Sequence, residues 1–397
     1  MGQSPSLSVN PEIVRWAREE SGYDVERVAS RLAVKEERVL AWERGERQPT
    51  QRQLESLARY LHRPLGIFFL ARPPRLKPLA TEYRRLPGVQ VGHESPELRL
   101  ALRAMIERRE RALELLDELG EPVPRISLRA RLSDSPEDVG ARLRAASAIT
   151  IDAQLAWATV GQAWAAWRAS AESMGVLVFQ FPRVPVEEVR GLALLRTPLP
   201  VVAINSKEGP DSRGFTLFHE IVHLMLAASR EEAPALDERR TAREWMDVER
   251  FAEAAASHAL VPEELLGRIL SVEPSRKGWD VERVRGLARR ARISPLAMAT
   301  RLRSSGHMSW PQYHAWREAW DDVVSKLPPR KGGFATPVET AISRAGRPFA
   351  ALVVEALSAN RITSTDAARF LGLKFEHFGK LSDDLRDAKT GRAQIDE

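Results

Sequence analysis

Cysteine is absent from this chain of 397 residues. Its absence excludes disulfide bonds, thiolate metal ligands and cysteine nucleophiles. A metal site in this chain must therefore be built from histidine, carboxylate and water. Histidine is also scarce, with 8 residues in all. A pair of histidines at a short, regular spacing is therefore not expected from composition alone.

Long apolar runs are missing as well. No uninterrupted apolar stretch approaches the ~20 residues of a membrane span, and the N-terminal residues lack the basic and apolar regions of a signal peptide. We therefore expect a soluble, cytoplasmic protein with no membrane partner. Neither sign of charge dominates: the net charge is +6, which permits contact with nucleic acid but does not require it.

The segment Phe215–Leu226 is apolar except at a few positions, among them His219, Glu220 and His223. It contains no proline or glycine, which predicts a buried helix. Residues four apart share a helix face, so the two imidazoles can point at one metal ion. Glu220 can then hold and deprotonate a water molecule, as in metalloproteases. The alternative, a core helix with two satisfied histidines, is disfavoured because burying three unpaired polar groups is costly.

A zinc site of this type needs a third protein ligand and an open position for water. A second helix is predicted over Trp245–Leu260, and its small residues would allow close packing against the first. The spacing alone does not choose among the candidate ligands in and before this helix, which are Glu244, Asp247, Glu249, Glu253 and His258.

Three β-like runs precede the first helix, at residues 175–181, 190–195 and 201–205. Short strands followed by a helix pair are the layout of a zincin protease domain. The expected fold class is mainly α with a small β-sheet, an α+β zincin-like catalytic domain flanked by helical N- and C-terminal domains. We expect Val201–Asn205 to be the edge strand that holds an extended substrate by β-augmentation.

The N-terminal region reads as four short helices. The pattern predicts a helix over 11–22, a second capped by Asp24, a third over roughly 36–44 and a fourth after Pro49–Thr50. The tight turn Ala33–Lys35 between the second and third helices is typical of a helix-turn-helix.

The run Val34–Thr50, with Trp42-Glu43-Arg44-Gly45 and Gln48-Pro49-Thr50, resembles the Xre/Cro-like repressor helix-turn-helix. In that family the third helix enters the major groove, which makes Lys35, Arg38 and Arg44 the candidate DNA contacts. Two acids at the start of this helix, Glu36 and Glu37, oppose phosphate binding. The alternative is a helical module used for protein docking or dimerisation.

A second resemblance covers roughly residues 150–300. Asn205, the run Phe215–His223, Glu249-Arg250-Phe251 and Leu260-Val261-Pro262 together resemble the ImmA/IrrE metallopeptidases. The resemblance implies a Zn²⁺ ion held by His219, His223 and Glu249, with Glu220 as the catalytic base. The chain departs from the family at Ala252-Glu253, where Ala-Asn or Cys-Asn is usual, so Glu253 is left as a supporting acid or a competing ligand.

The resemblance implies a zinc endopeptidase that cuts a specific protein, typically a transcriptional repressor or an antitoxin, in a stress or mobile-element response. The alternative is a DNA-binding transcriptional regulator with a structural or sensory metal site. A toxin–antitoxin component that acts mainly by binding is a third class. The intact Glu220 favours the enzyme, because a structural site does not need it. His258, His307 and Tyr313 are the candidates for stabilising the oxyanion.

Proline-rich stretches suggest the domain boundaries. We expect an Xre-like helix-turn-helix domain at 1–72, a linker and long charged helix at 73–134, the peptidase domain at 135–305 and a helical C-terminal domain at 306–397. Single helices are expected over 152–173, with Asp152 as its cap, and over 335–357. Residues 328–333 read as a second linker and residues 383–397 as frayed or disordered. The sequence is compatible with a homodimer.

Overall fold

The computed structural model describes residues 8–84, 86–272, 278–326 and 335–393. They form two compact units. The first comprises residues up to Thr81 together with Pro87–Ala104, and the second comprises Glu82–Leu86 and the chain from Met105 onward. The four domains expected from the sequence stay a prediction. The linker expected at 328–333 lies outside the described residues, as do the last four residues of the chain.

The first unit is built on four short helices, as the sequence predicts. Asp24 accepts a hydrogen bond from the Arg27 backbone at the start of the second helix, and Thr50 forms a capping box with Gln53 at the start of the fourth. Ile13, Val28, Trp42 and Leu54 are among the buried residues of its core. The helices are α1 (Pro11–Glu20), α2 (Val25–Leu32), α3 (Glu36–Glu43) and α4 (Gln51–Tyr60), followed by 3-10 turns at Leu65–Phe69 and Leu79–Thr81.

Within the described residues, the second unit contains the remaining helices and one sheet. The helix α5 (Pro96–Leu119) contributes its residues to both units, with the division after Ala104. The others are α6 (Pro136–Ser147), α7 (Ile151–Ala156), α8 (Val160–Ser173), α9 (Pro210–Ala228), α10 (Ala242–Leu260), α11 (Glu263–Ser271), α12 (Val281–Ala291), α13 (Pro295–Ser304), α14 (Trp310–Ser325), α15 (Pro337–Ala345), α16 (Arg347–Ser358), α17 (Ser364–Leu371) and α18 (Phe378–Ala393). The expected fold class, mainly α with a small sheet, is confirmed.

The sheet has three strands, β1 (Leu177–Phe181), β2 (Gly191–Leu194) and β3 (Val201–Asn205), in the order β1-β3-β2. β3 pairs in parallel with β1 and antiparallel with β2. The expectation that Val201–Asn205 is an edge strand is therefore wrong, because both sides of its backbone are engaged. β2 is the outer strand on the side of α9.

Several helix boundaries differ from those expected. The helix expected over 152–173 is two helices, because Thr159 and Gln162 form a capping box that starts α8; Thr150, and not Asp152, caps α7. The helix expected over 335–357 breaks at Gly346, whose φ of 81° lies in the left-handed region.

Two helices extend beyond the residues expected. α9 begins at Pro210, ahead of the helix predicted over Phe215–Leu226, since proline suits the first helical position. Residues 383–393 belong to α18, which is tied to α16 by the ion pair between Arg347 Nη2 and Asp384 Oδ1 at 2.7 Å. Among the described helices, none combines the length and the apolar character needed to cross a bilayer.

Candidate metal centre

Two glycines set how closely the two helices of the site approach their neighbours. A Cβ atom at Gly191 of β2 would lie 2.4 Å from Thr216 Cγ2 and 3.4 Å from Glu220 Cγ, so glycine lets α9 pack directly on the strand. A Cβ at Gly140 of α6 would lie 2.6 Å from His258 Cβ on α10. Both helices are therefore held in close, specific contact by small residues opposite them.

The two helices bring His219, His223 and Glu249 together. The Nε2 atoms of the two imidazoles are 3.1 Å apart, and Glu249 places one oxygen 3.2 Å from His219 Nε2 and the other 3.7 Å from His223 Nε2. A tetrahedral zinc ion with bonds of about 2.0–2.2 Å requires ligand atoms roughly 3.3–3.6 Å apart. The donor types and their spacing thus fit zinc, and the three residues form a potential metal-binding group.

A carboxylate supports the second histidine from behind. The side chain of Glu232, which is 3% exposed, places Oε2 2.7 Å from His223 Nδ1. Burial raises the pKa of Glu232 to about 8, against the opposing effect of Arg84. In its ionised form, Glu232 accepts a hydrogen bond from Nδ1–H of His223, which fixes the ring orientation and leaves Nε2 free to bind a metal. Glu232 could not be recognised from the sequence, because it lies in the loop after α9 and no spacing rule relates it to the histidines.

Arg84 is the second group that the sequence did not reveal. Its guanidinium is 1% exposed and donates from Nε and Nη2 to the two oxygens of Glu220, at 2.9 and 3.0 Å, and from Nη1 to Glu249 at 2.7 Å. Its Nη2 also lies 3.4 Å from His219 Nε2. Burial lowers the pKa of Arg84, but the two carboxylates outweigh burial and raise it above its usual range. Arg84 is therefore protonated and places a positive charge in the site.

The ionisation of the site follows from burial and these charges. Burial raises the pKa of Glu220 and of Glu249, yet Arg84 and the imidazoles pull both below the ordinary value. Burial and Arg84 hold the pKa of His223 well below its ordinary value. Burial also lowers the pKa of His219, but Glu249 outweighs it and the net shift is upward. Both carboxylates are ionised, and His223 is in the neutral form that ligates metals.

The other ligand candidates have different partners. Glu244 belongs to the capping box at the start of α10, and the exposed Asp247 accepts a hydrogen bond from Arg250. Glu253 lies 3.5 Å from Arg303. His258 lies 3.6 Å from Glu137, and burial lowers its pKa to about 4. Among the described residues, Glu249 is thus the candidate that completes the group around the two histidines.

The oxyanion candidates are placed differently from one another. Tyr313 lines a cavity of about 500 Å³ together with Glu249, Arg303 and Trp310. His258 lines a separate, smaller cavity. The His307 carbonyl accepts a hydrogen bond from Trp279 Nε1. Tyr313 thus shares a cavity with Glu249 of the metal group.

The candidate DNA contacts lie on the surface of the first unit. Lys35 precedes α3, Arg38 lies in its first turn, and both are exposed. Arg44 is exposed and its Nε lies 2.6 Å from Glu46 Oε1. Glu43, at the end of α3, is buried and accepts two hydrogen bonds from Arg18. It therefore serves the fold of the unit, while the residues at the start of α3 remain accessible.

Comparisons with known protein families agree with this arrangement. Residues 171–303, which include the strands and the helix pair of the metal group, match the Peptidase_M78 family, described as the IrrE N-terminal-like domain. Residues 14–68, which include α3, match the HTH_3 helix-turn-helix family. No curated protein sequence matches the chain. Residues 171–303 are therefore similar to the IrrE N-terminal-like peptidase family and residues 14–68 to the helix-turn-helix family, as the sequence motifs predict.

Proposed function

We propose that the chain is a zinc-dependent endopeptidase that cleaves a specific protein, a transcriptional repressor or an antitoxin, in a stress or mobile-element response. The observation that carries the proposal is the convergence of His219, His223 and Glu249 beside the carboxylate of Glu220. The match to a metallopeptidase family supports it. Cytoplasmic location and a homodimer stay predictions.

Each residue of the group has a role in the proposed hydrolysis. His219, His223 and Glu249 would hold the zinc ion, which when bound supplies polarisation of the scissile carbonyl and acidification of the attacking water. Glu220 would accept the proton of that water and pass it to the leaving amine, a contribution of roughly 10²–10⁴-fold. Glu232 would orient His223 throughout, because it holds the far side of the ring.

Mass spectrometry of cellular proteins tests the proposal and names the substrate. Proteins cut in cells expressing the wild type would be compared with those in cells expressing Glu220→Gln. We expect the variant to retain zinc and to lose cleavage, because its side chain keeps the shape of Glu220 without its basicity. Normal cleavage by the variant, or no cut that depends on Glu220, would contradict the proposal.

A DNA-binding transcriptional regulator with a structural or sensory metal site is the second candidate. The helix-turn-helix match and the exposed Lys35, Arg38 and Arg44 support it. Gel-shift measurements on genomic fragments separate the two functions. Two results together would favour the regulator over the peptidase. The Glu220→Gln variant would shift DNA in a sequence-specific way, and cells expressing the wild type would contain no cleaved proteins.

A further inference from the structure

Residues Glu82, Tyr83 and Arg84, here called the strap, run alongside β2 within the second unit. Tyr83 forms an antiparallel bridge with Leu194 at the end of β2, and Arg84 forms one with Pro234 on the other side. The strap is thus an extended segment between the outer strand of the sheet and the loop that follows α9.

The backbone of the strap is hydrogen-bonded on both sides. The Leu195 N–H donates to the Glu82 carbonyl at 3.1 Å, and the Ala235 N–H donates to the Tyr83 carbonyl at 2.8 Å. An extended peptide that binds by β-augmentation uses this kind of contact with the outer strand of a sheet. The strap therefore occupies, from within the chain, the end of β2 at Leu194 and Leu195, which is part of the edge that an extended substrate segment would need.

The strap is also anchored by its side chains. Glu82 forms an ion pair with Arg196, and Tyr83 and Arg84 are each 1% exposed. Arg84 reaches the metal group, where its guanidinium bonds both oxygens of Glu220 and one of Glu249. Arg84 thus connects the backbone of the strap to the carboxylates of Glu220 and Glu249.

A guanidinium in this position opposes metal binding. It lies within hydrogen-bond distance of Glu249 and 3.4 Å from His219 Nε2, two of the three groups of the metal site. Two cations within about 4 Å repel each other strongly in a buried environment. Arg84 also engages both oxygens of Glu220. This ion pair stabilises the ionised carboxylate, so Glu220 is a weaker acceptor for a proton from water while the strap is in place.

We propose that the strap is an intramolecular inhibitor, which covers the end of the peptide-binding edge of β2, withholds Glu249 from zinc and weakens Glu220 as a proton acceptor until Arg84 withdraws. The inference rests on the proposed function and describes the regulation of the same site. The protein is inhibited when Arg84 is inserted into the metal group. Metal and an extended peptide are expected to favour the state with Arg84 withdrawn.

Zinc affinity measured by chelator competition tests the strap without reference to cleavage. The full chain would be compared as wild type, Arg84→Ala, Arg84→Lys and the control Arg240→Ala. Arg240 is a half-buried arginine that pairs with Glu238 and donates to the Glu231 carbonyl in the loop after α9. If Arg84 is inserted nine-tenths of the time or more, its removal tightens zinc binding by about tenfold or more. Lysine keeps the positive charge but lacks the guanidinium group that bonds both oxygens of Glu220. An intermediate zinc affinity is therefore expected for Arg84→Lys.

Amide hydrogen exchange of the wild type provides a second measurement that needs no variant. The Leu195 and Ala235 amides donate to the strap, whereas the Ser206 amide donates to Phe181 within the sheet region. Saturation with zinc is expected to accelerate exchange at Leu195 and Ala235 and to leave Ser206 unchanged. Unchanged exchange at all three amides in the zinc-saturated protein would overturn the strap.

The outcomes distinguish this inference from the proposed function. If Arg84→Ala binds zinc no more tightly than Arg240→Ala, the inhibitory role of the strap is overturned and the proposed peptidase function is not affected. Tighter binding by Arg84→Ala, with no protein cut in a Glu220-dependent way, retains the strap and overturns the peptidase. Failure of every variant to bind zinc overturns both.

Discussion

The helices α9 and α3 place their polar residues in opposite environments. On α9, His219, Glu220 and His223 are buried and each contacts other charged or polar side chains. At the start of α3, the charged residues from Lys35 to Arg38 are exposed. Buried polar groups are costly unless they are bonded, so those of α9 require a specific set of partners. The exposed charges of α3 require none.

This difference determines how far the polar residues of each helix restrict the possible functions. A buried cluster with metal-ligand spacing restricts the chemistry to a few possibilities, whereas exposed charge is compatible with DNA, protein or solvent. Changes around α9 should therefore alter stability or metal binding strongly. Equivalent changes on α3 should alter only the affinity for a partner.

Replacement of a further carboxyl group, which is buried against α9, is expected to have the largest effect, a change in the unfolding free energy. Glu208 is 4% exposed and accepts a hydrogen bond from Thr216 at 2.8 Å. Burial raises its pKa to about 7, although Thr216, Arg190 and Arg213 oppose the shift. Folding thus favours the protonated form, and the stability it contributes is complete below pH ~4.5 and is lost as the pH rises through about 7.

Replacement of this group should remove that pH dependence. Between pH 5 and pH 8 we expect the unfolding free energy of the wild type to fall, relative to Glu208→Gln, by on the order of 3 kcal/mol. Denaturant titrations at several pH values measure the difference. The exposed Glu187 provides the control Glu187→Gln. Parallel pH profiles for the wild type and Glu208→Gln would show that Glu208 is not held protonated.

Replacement of Glu232, which contacts Nδ1 of His223, is expected to have the next largest effect, a loss of zinc affinity. Glu232→Ala is expected to weaken zinc binding by about 10–100-fold, because the imidazole loses the group that orients it. Chelator competition measures the change, and Glu231→Ala, at the neighbouring position, is the control. If Glu232→Ala bound zinc as tightly as Glu231→Ala, the orienting role would be wrong.

The smallest effect on stability is expected on α3. Lys35→Ala with Arg38→Ala should change the unfolding free energy by less than about 0.5 kcal/mol, because both side chains are exposed. If α3 binds DNA, the same variant lowers affinity for all sequences and reduces the salt slope by about 2. Glu36→Gln with Glu37→Gln should act in the opposite direction. Gel shifts at several salt concentrations show whether α3 behaves in this way.

The sequence predicted the parts of the site that lie within one helix or one motif. His219, Glu220 and His223 follow from helical periodicity, and the fold class follows from the order of helices and strands. Glu249 could be chosen among five candidates only through the family resemblance. Arg84 and Glu232 could not be predicted, since they reach the site from non-helical segments whose position depends on tertiary structure. The edge strand was misassigned for the same reason, because strand order is not local.

The most direct test of the account is the zinc content of the purified full-length chain under zinc-replete conditions. We expect a single bound zinc ion in the wild type and in Glu220→Gln, and its loss in His223→Ala and Glu249→Ala. A wild-type chain without zinc, or a Glu249→Ala variant that binds zinc like the wild type, would contradict the convergence of these side chains on one metal ion.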